Sequence, residues 1–235
     1  MISLGKRHRT PELMDDPNLD PELHHQALVG LRRVHGISGT VSTLWNPIRR
    51  MAKQTPNKTL RVLDVACGGG DLVISLAQKA ARSGLSLEFS GCDISQTALD
   101  FASSTAASKK VSVNFFQADA IAAPLPAGYD IICCSLFLHH LDEADAIRLL
   151  RSMKASAGRM ALISDLSRSR LGYVLTWVGI RLLTRSQICH VDGPLSVRAA
   201  FTPAEMRDLA AKSGLENATL THHWPERFLL TWKPN

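Results

Sequence analysis

The stretch LDVACGGGD, Leu63 to Asp71, narrows the possible folds of this chain more than any other. An apolar run with strand character, LRVLDV, enters a turn of three consecutive glycines, and a helical pattern, DLVISLAQKAARSG, leaves it and ends at Gly84. Parallel strands cannot be joined by a tight hairpin and need a crossover, which here is helical. The chain then repeats the alternation. LSLEFSGCD, VSVNFFQAD, YDIICCS and RMALISD read as strands. SQTALDFASSTAASKK, with Ser95 as its cap, and DEADAIRLLRSMKASAG read as helices. Ile131, Ile132, Cys133 and Cys134 form a continuous apolar run, as expected of a strand covered on both faces. The end of the chain changes character. TPAEMRDLAAKSG carries a capping box, Thr202 with Glu205, and Pro203 at the first helical position. NATLTHH and RFLLTW follow with no helix between them, which predicts a closing hairpin. The expectation is an α/β fold with a seven-stranded, mostly parallel sheet, a C-terminal antiparallel hairpin and helices on both faces.

Residues 1–55 are predicted to form an N-terminal helical cap, and residues 56–235 the main domain. Asp20-Pro21-Glu22 is a helix start, and Leu23, Ala27, Leu28, Leu31 and Val34 recur at helical spacing up to Gly36. Ser42–Lys53 predicts a second helix around Trp45 and Ile48, bent or begun at Pro47. The segment 168–200 reads as an insertion that covers the site. Its apolar window LGYVLTWVGIRLL is broken by Arg181 and falls short of the ~20 residues that span a bilayer, so no stable membrane insertion is expected. Five cysteines without CxxC spacing, behind an N-terminus lacking a signal-peptide core, predict reduced thiols and a cytoplasmic protein. The net charge of +6 is scattered rather than gathered in one run, and no nucleic-acid partner is expected. A homodimer remains open at this stage.

In open α/β sheets, ligands lie at the carboxyl ends of the strands. The glycine turn therefore asks what binds there. Gly68 and Gly70 give the first part of a dinucleotide fingerprint, with Val73 at its third glycine. Asp64 before the turn and Asp71 after it would both repel a pyrophosphate. A cationic ligand reverses the argument. S-adenosylmethionine (SAM) carries a sulfonium and an ammonium and no phosphate. Asp93 ends the second strand, where it can accept from ribose hydroxyls, and Asp119 ends the third, where it can accept from an adenine amino group.

VLDVACGGGD, GCDIS, QADA and YDIICCSLFLHHL resemble, in order and spacing, the successive motifs of class I SAM-dependent methyltransferases. The resemblance is close over residues 60–165. It implies a Rossmann-like methyltransferase fold and a cofactor site lined by Asp64, Gly68, Gly70, Asp93, Asp119 and Ser135. Ala66, Cys67, Asp71, Ile94 and Ala120 belong to the same motifs. Ala66 departs from the family, which has its first glycine there. ELMDDPNLDPELHHQAL, ISDLSRSRLG and DGPLSVRAAFTPAEM further resemble bacterial methyltransferases that accompany type III polyketide synthases and modify phenolic or quinol lipids.

A phenol has its pKa near 10, so its methylation gains from a base. His140 is the first candidate and His139 the second. His190 held by Asp192 beside a Gly-Pro turn is another, with Arg198 to fix an anionic group. Asp165 is expected either in the site or paired with Arg168. No His/Cys spacing points to zinc, no carboxylate cluster points to magnesium, and no metal is expected. CCSLF replaces the Pro- and aromatic-rich run of amino-base methyltransferases, which disfavours a nucleobase acceptor. The apolar cover favours a small hydrophobic aromatic or lipid-like acceptor. The resulting expectation is O-methylation of a phenolic or quinol hydroxyl. Its alternatives are C-methylation of the quinone-biosynthesis type, an NAD-dependent oxidoreductase and a SAM-binding protein without catalysis.

Overall fold

In the computed structural model, residues 4–16 and 18–234 are described, with the side chain of His35 excepted; Met1–Ser3 of the N-terminal unit, Pro17 and Asn235 lie outside them. Seven strands form one sheet: β1 Leu60–Val65, β2 Leu87–Asp93, β3 Asn114–Gln117, β4 Tyr129–Ser135, β5 Ala157–Leu166, β6 Thr219–His223 and β7 Arg227–Trp232. Their spatial order is β3-β2-β1-β4-β5-β7-β6. The first five are parallel, and β7 runs antiparallel to both β5 and β6. The order reverses between β1 and β4, so the crevice of the fold opens at the carboxyl ends of those strands.

Both faces of the sheet are covered, and the alternation of strand side chains sorts them into two cores. On one face α2 (Thr40–Gln54) and α3 (Asp71–Arg82) pack Leu44, Ile48, Val73, Ile74 and Leu76 onto Leu60, Val62, Ile131 and Leu162. On the other, α5 (Glu143–Ser156) and α8 (Pro203–Lys212) bring Leu149, Leu150, Met153, Met206 and Leu209 against Leu63, Val65, Ile132 and Ile163. Burial at about 25 cal/mol per Å² of apolar surface makes these two layers the main stabilising contribution. α4 (Gln96–Ser108) lies beside β2 and β3, capped by the Ser95 hydroxyl, which accepts from the Ala98 amide. The capping box at Thr202 and Glu205 forms as predicted.

α2 does not begin at Pro47. It starts at Thr40 and runs through Pro47, which is buried. The predicted Gly-Pro turn at 193–194 also does not form. α6 (Arg170–Leu183) and α7 (Gln187–Ala199) follow β5, and Gly193 and Pro194 lie inside α7. Close helix packing is the reason for the glycine. A Cβ on Gly193 would lie 1.9 Å from Ile180 Cδ1 of α6. α1 (Pro21–Ile37) packs beside this pair through Ala27, which shares a small core with Ile180, Ile188 and Cys189. Among the described residues, no helix is long and apolar enough to cross a membrane.

Candidate active site

The loop after β1 has the geometry its glycines predict. Gly68 and Gly70 sit at φ 51° and 76°, in the left-handed region that favours glycine. They serve different purposes. A Cβ on Gly68 would meet nothing within 4 Å, so this residue faces open space above the sheet, whereas a Cβ on Gly70 would press on Ala102 Cβ at 2.9 Å. Ala66 also adopts positive φ, 53°, and so holds a glycine conformation with an alanine. The loop is pinned by backbone bonds from Cys67 N to Cys92 O and from Gly70 N to Cys67 O.

Asp93 was expected to face ribose hydroxyls, and its carboxylate is already engaged. Oδ2 accepts from the Gly68 amide at 2.7 Å and Oδ1 from the Ser95 amide at 2.9 Å. Each oxygen keeps a second lone pair for a ligand. Asp119 Oδ1 likewise accepts from the amides of Ile121 and Ala122, which holds the turn after β3. Ala120 lies within that turn, and Ser135 ends β4. Ile94, between Asp93 and Ser95, is 63% exposed and presents an apolar surface beside the two acids' turns.

Asp64 is buried at the end of β1. Burial pushes its carboxyl up to about 8, a hydrogen bond from the Cys133 thiol acts the other way, and Asp93 adds to the rise. Burial also pushes Asp71, the first residue of α3, up to about 6, against the pull of Arg32 and Lys109. A buried carboxyl that pays this desolvation is relieved by a cation set in front of it. The open space at Gly68, the carboxylate of Asp93 and the buried acid at the strand end could together hold SAM.

The candidate base residues lie on a short 3₁₀ turn after β4, Leu138–His140. His139 is buried. Its Nδ1 lies 2.7 Å from Asp165 Oδ1 of β5, and its amide donates to Asp165 Oδ2 at 3.2 Å. Burial opposes the charge on Asp165, but the field and hydrogen bond of His139, with the Leu166 amide and the field of His140, hold it below the usual carboxylate range. An ionised Asp165 accepts a hydrogen bond from Nδ1–H, which leaves Nε2 as the ring nitrogen of His139 with a free lone pair. His140 differs. Burial works against its charge, but the hydrogen bond it donates to Asp15 and the fields of Glu12, Asp15 and Asp165 lift it to about 9. At neutral pH it is an imidazolium, which reverses the expected ranking of the pair as bases.

The other expected pairs are not brought together. Asp192 accepts from the amides of Leu13 and Met14, while His190 Nε2 bonds to the carbonyl of Thr184 at 2.8 Å. Arg168 pairs with both oxygens of Glu205 rather than with Asp165. Arg198 is half-buried in α7, and its Nε finds no hydrogen-bond partner among the described residues.

The sequence reading missed the N-terminal arm. Arg7 donates to the carbonyls of His139 (3.0 Å) and Leu141 (2.6 Å) and to that of Ala199, and it stacks on Phe201. Arg9 donates to the carbonyl of His140 at 2.8 Å. Glu12 takes a hydrogen bond from Ser196 and faces both imidazoles, and Asp15 binds His140 Nδ1 at 2.9 Å. The KRHR cluster was the visible signal; it reads as solvated charge until the fold brings it over the 138–141 turn.

Comparison with known proteins agrees with this geometry. Residues 62–157 match the family model described as a methyltransferase domain. Ubiquinone biosynthesis O-methyltransferase of Thiobacillus denitrificans is 29% identical over 184 residues, covering 75% of this chain and 74% of that protein. The protein of the same name from Ralstonia nicotianae is 29% identical over 184 residues, covering 74% and 71%. Among solved structures, magnesium protoporphyrin IX methyltransferase from Synechocystis PCC 6803 with bound S-adenosylhomocysteine (SAH) shares the fold at TM-score 0.59 and 19% identity, over 94% of this chain and 90% of that one. The SAM-dependent methyltransferase SibL, in its apo form, aligns at TM-score 0.62 and 18% identity over 98% and 64%.

Proposed function

We propose that the protein is a SAM-dependent methyltransferase that methylates a phenolic or quinol hydroxyl of a small hydrophobic acceptor. The observation that carries this reading is the His139–Asp165 pair at the carboxyl ends of β4 and β5, with Nε2 of His139 left basic. A phenol needs such a group because its proton must leave as the oxygen attacks; an aromatic ring attacked at carbon has no acidic proton to give up first. SAM supplies a methyl carbon already activated by its sulfonium. The residues of this chain align and deprotonate. The acceptor oxygen forms the new O–CH₃ bond as the S–CH₃ bond breaks, and the hydroxyl proton passes to His139 Nε2. Asp165, ionised and buried, steadies the imidazolium that results. Rigid placement of oxygen and methyl carbon provides much of the rate, since proximity alone is worth about 7–11 kcal/mol of barrier in well-oriented systems.

The names of the two relatives support an oxygen acceptor of quinol type. The resemblance to methyltransferases that accompany type III polyketide synthases supports alkylated phenols within that class, as does the apolar composition of α6. Five free cysteines support a reducing, cytoplasmic setting.

The test is label transfer from methyl-labelled SAM to a panel of alkylphenols, alkylresorcinols, quinols and amines, with the product identified by mass and NMR. An aryl methyl ether is expected, with rates that rise with alkyl chain length and fall at least a hundredfold in His139→Gln. A ring methyl as the main product, or label on amines alone, overturns the acceptor.

A further inference from the structure

The N-terminal arm brings a third donor to the two histidines, and we infer that Glu12, His139 and His140 form a binding site for a first-row divalent cation of zinc type. The orientation of the imidazoles carries this. His139 Nδ1 is held by Asp165 at 2.7 Å, and His140 Nδ1 by Asp15 at 2.9 Å. Each ring therefore has its Nδ1 committed to a carboxylate and its Nε2 turned away from it. Both Nε2 atoms converge on one carboxylate: His139 Nε2 is 3.8 Å from Glu12 Oε1 and His140 Nε2 is 4.0 Å from Glu12 Oε2. A carboxylate behind a metal-binding histidine is the outer shell that fixes ring orientation in metalloproteins, and here it occurs on both rings.

The spacings exceed a hydrogen bond and suit a shared cation. The ligand atoms of the three residues all lie within 4.8 Å of one another. Bonds of about 2.0–2.1 Å in tetrahedral geometry put neighbouring donors about 3.3 Å apart, so closure needs distances to shorten by roughly half an ångström at Glu12 and by no more than about 1.5 Å between any two donors. Charge favours it. Three carboxylates (Glu12, Asp15 and Asp165) surround two imidazoles, and among the described residues no Lys or Arg forms an ion pair with any of them. Arg7 and Arg9 are turned instead to backbone carbonyls of the same turn.

Two imidazoles and one carboxylate select zinc, manganese, cobalt or ferrous iron over magnesium, which prefers all-oxygen sites. Three protein donors leave a coordination position open, the pattern of catalytic rather than structural sites. His140 keeps 22% of its side chain exposed, against 5% for His139 and 10% for Glu12, so the open position lies on its side. An acceptor hydroxyl bound there would ionise at lower pH. His139 Nε2 cannot be base and ligand at once, so the loaded site replaces the imidazole base by coordination. The purpose given to the cation rests on the phenolic acceptor; the site itself does not.

The experiment uses the full chain after chelator treatment. Zn²⁺ affinity is measured by competition with a chromophoric chelator, Co²⁺ by its visible absorption, and SAH binding reports that each variant is folded. One equivalent of Zn²⁺ is expected, with at least a hundredfold weaker binding in Glu12→Gln and in His140→Ala, loss of the Co²⁺ band, and slower hydrogen exchange over residues 8–16 on loading. Zn²⁺ affinity unchanged in both variants, with SAH still bound, overturns the site. Cation binding lost in the variants, with no phenol methylated by wild type, upholds the site and overturns the acceptor; phenol methylation at equal rates with and without the cation upholds the acceptor and overturns the cation's part in the reaction.

Discussion

Replacing Asp165 by Asn tests the central pair with almost no change of volume. The carboxylate accepts three hydrogen bonds: from His139 Nδ1 at 2.7 Å, from the His139 amide at 3.2 Å and from the Leu166 amide at 2.6 Å. An asparagine offers one oxygen and one NH₂ group. With the oxygen at the Oδ1 position, the NH₂ confronts the His139 amide, donor against donor. With the oxygen at Oδ2, the NH₂ confronts the Leu166 amide and faces Nδ1, which then has to accept. The proton moves to Nε2, and the basic nitrogen disappears. A general base is worth about 10²–10⁴ in rate, or roughly 3–5 kcal/mol. We expect kcat on an alkylphenol to fall at least a hundredfold, with SAH affinity within threefold of wild type. A lost charge-assisted bond in a buried site also costs about 1.5–3 kcal/mol of stability, visible in a denaturant titration. Initial rates give the decisive reading. If Asp165→Asn turns over within threefold of wild type while still binding SAH normally, neither the base role nor the tautomer argument survives.

Three further outcomes follow from the same geometry. Ala66→Gly relieves a left-handed alanine, about 1 kcal/mol, against a glycine entropy cost of about 0.5–1 kcal/mol; calorimetry should show a melting temperature equal to wild type or up to about 2 °C higher, and a drop of several degrees would refute the strain. Gly193→Ala drives a methyl into Ile180 Cδ1 and should cost about 1–3 kcal/mol, partly restored when Ile180→Val is added, because the two positions are in contact; additive effects in denaturant titrations would refute the contact. Asp64, raised to about 8 from a normal value of 3.8, is protonated in the cofactor-free protein at pH 6 while the unfolded chain is ionised. Cofactor-free stability should therefore decline as pH rises from about 4 to 8. SAH binding at pH 6 should release close to one proton, read by calorimetry in buffers of different ionisation enthalpy; Asp64→Asn should abolish that release, and an unchanged release would place the ammonium elsewhere.

Most of the sheet was legible because strand and helix signals in this chain are local. The period-two and continuous apolar runs, Ser95, the Thr202–Glu205 box and the missing helix between the last two strands each act within a few residues, and all appear in the structure. The two misreadings arise where long-range packing overrides a local signal. Gly193-Pro194 has the composition of a turn, yet the glycine is demanded by Ile180 of the neighbouring helix. Pro47 reads as a helix start, yet burial of Leu44, Trp45, Ile48 and Met51 on the sheet carries α2 through it.

The turn of the candidate cofactor site was legible for the same reason: one strand, one turn and one helix supply Asp64, Gly68, Gly70 and Asp71 within a single stretch. The pairing of the two histidines was not, because each partner is distant in the chain. His139 and His140 are neighbours in sequence with equal intrinsic basicity. They diverge because the fold gives the first a buried carboxylate from β5, and the second an acid from the N-terminal arm. The arm itself is held by Arg7 against carbonyls of the turn that carries both rings. Removing the arm's hold should therefore disturb both histidines together. Arg7→Ala deletes the bonds to His139 and Leu141 without touching either imidazole. The chemistry of the site thus depends on a segment whose sequence, a short basic cluster followed by acids, says nothing of it until the chain is folded.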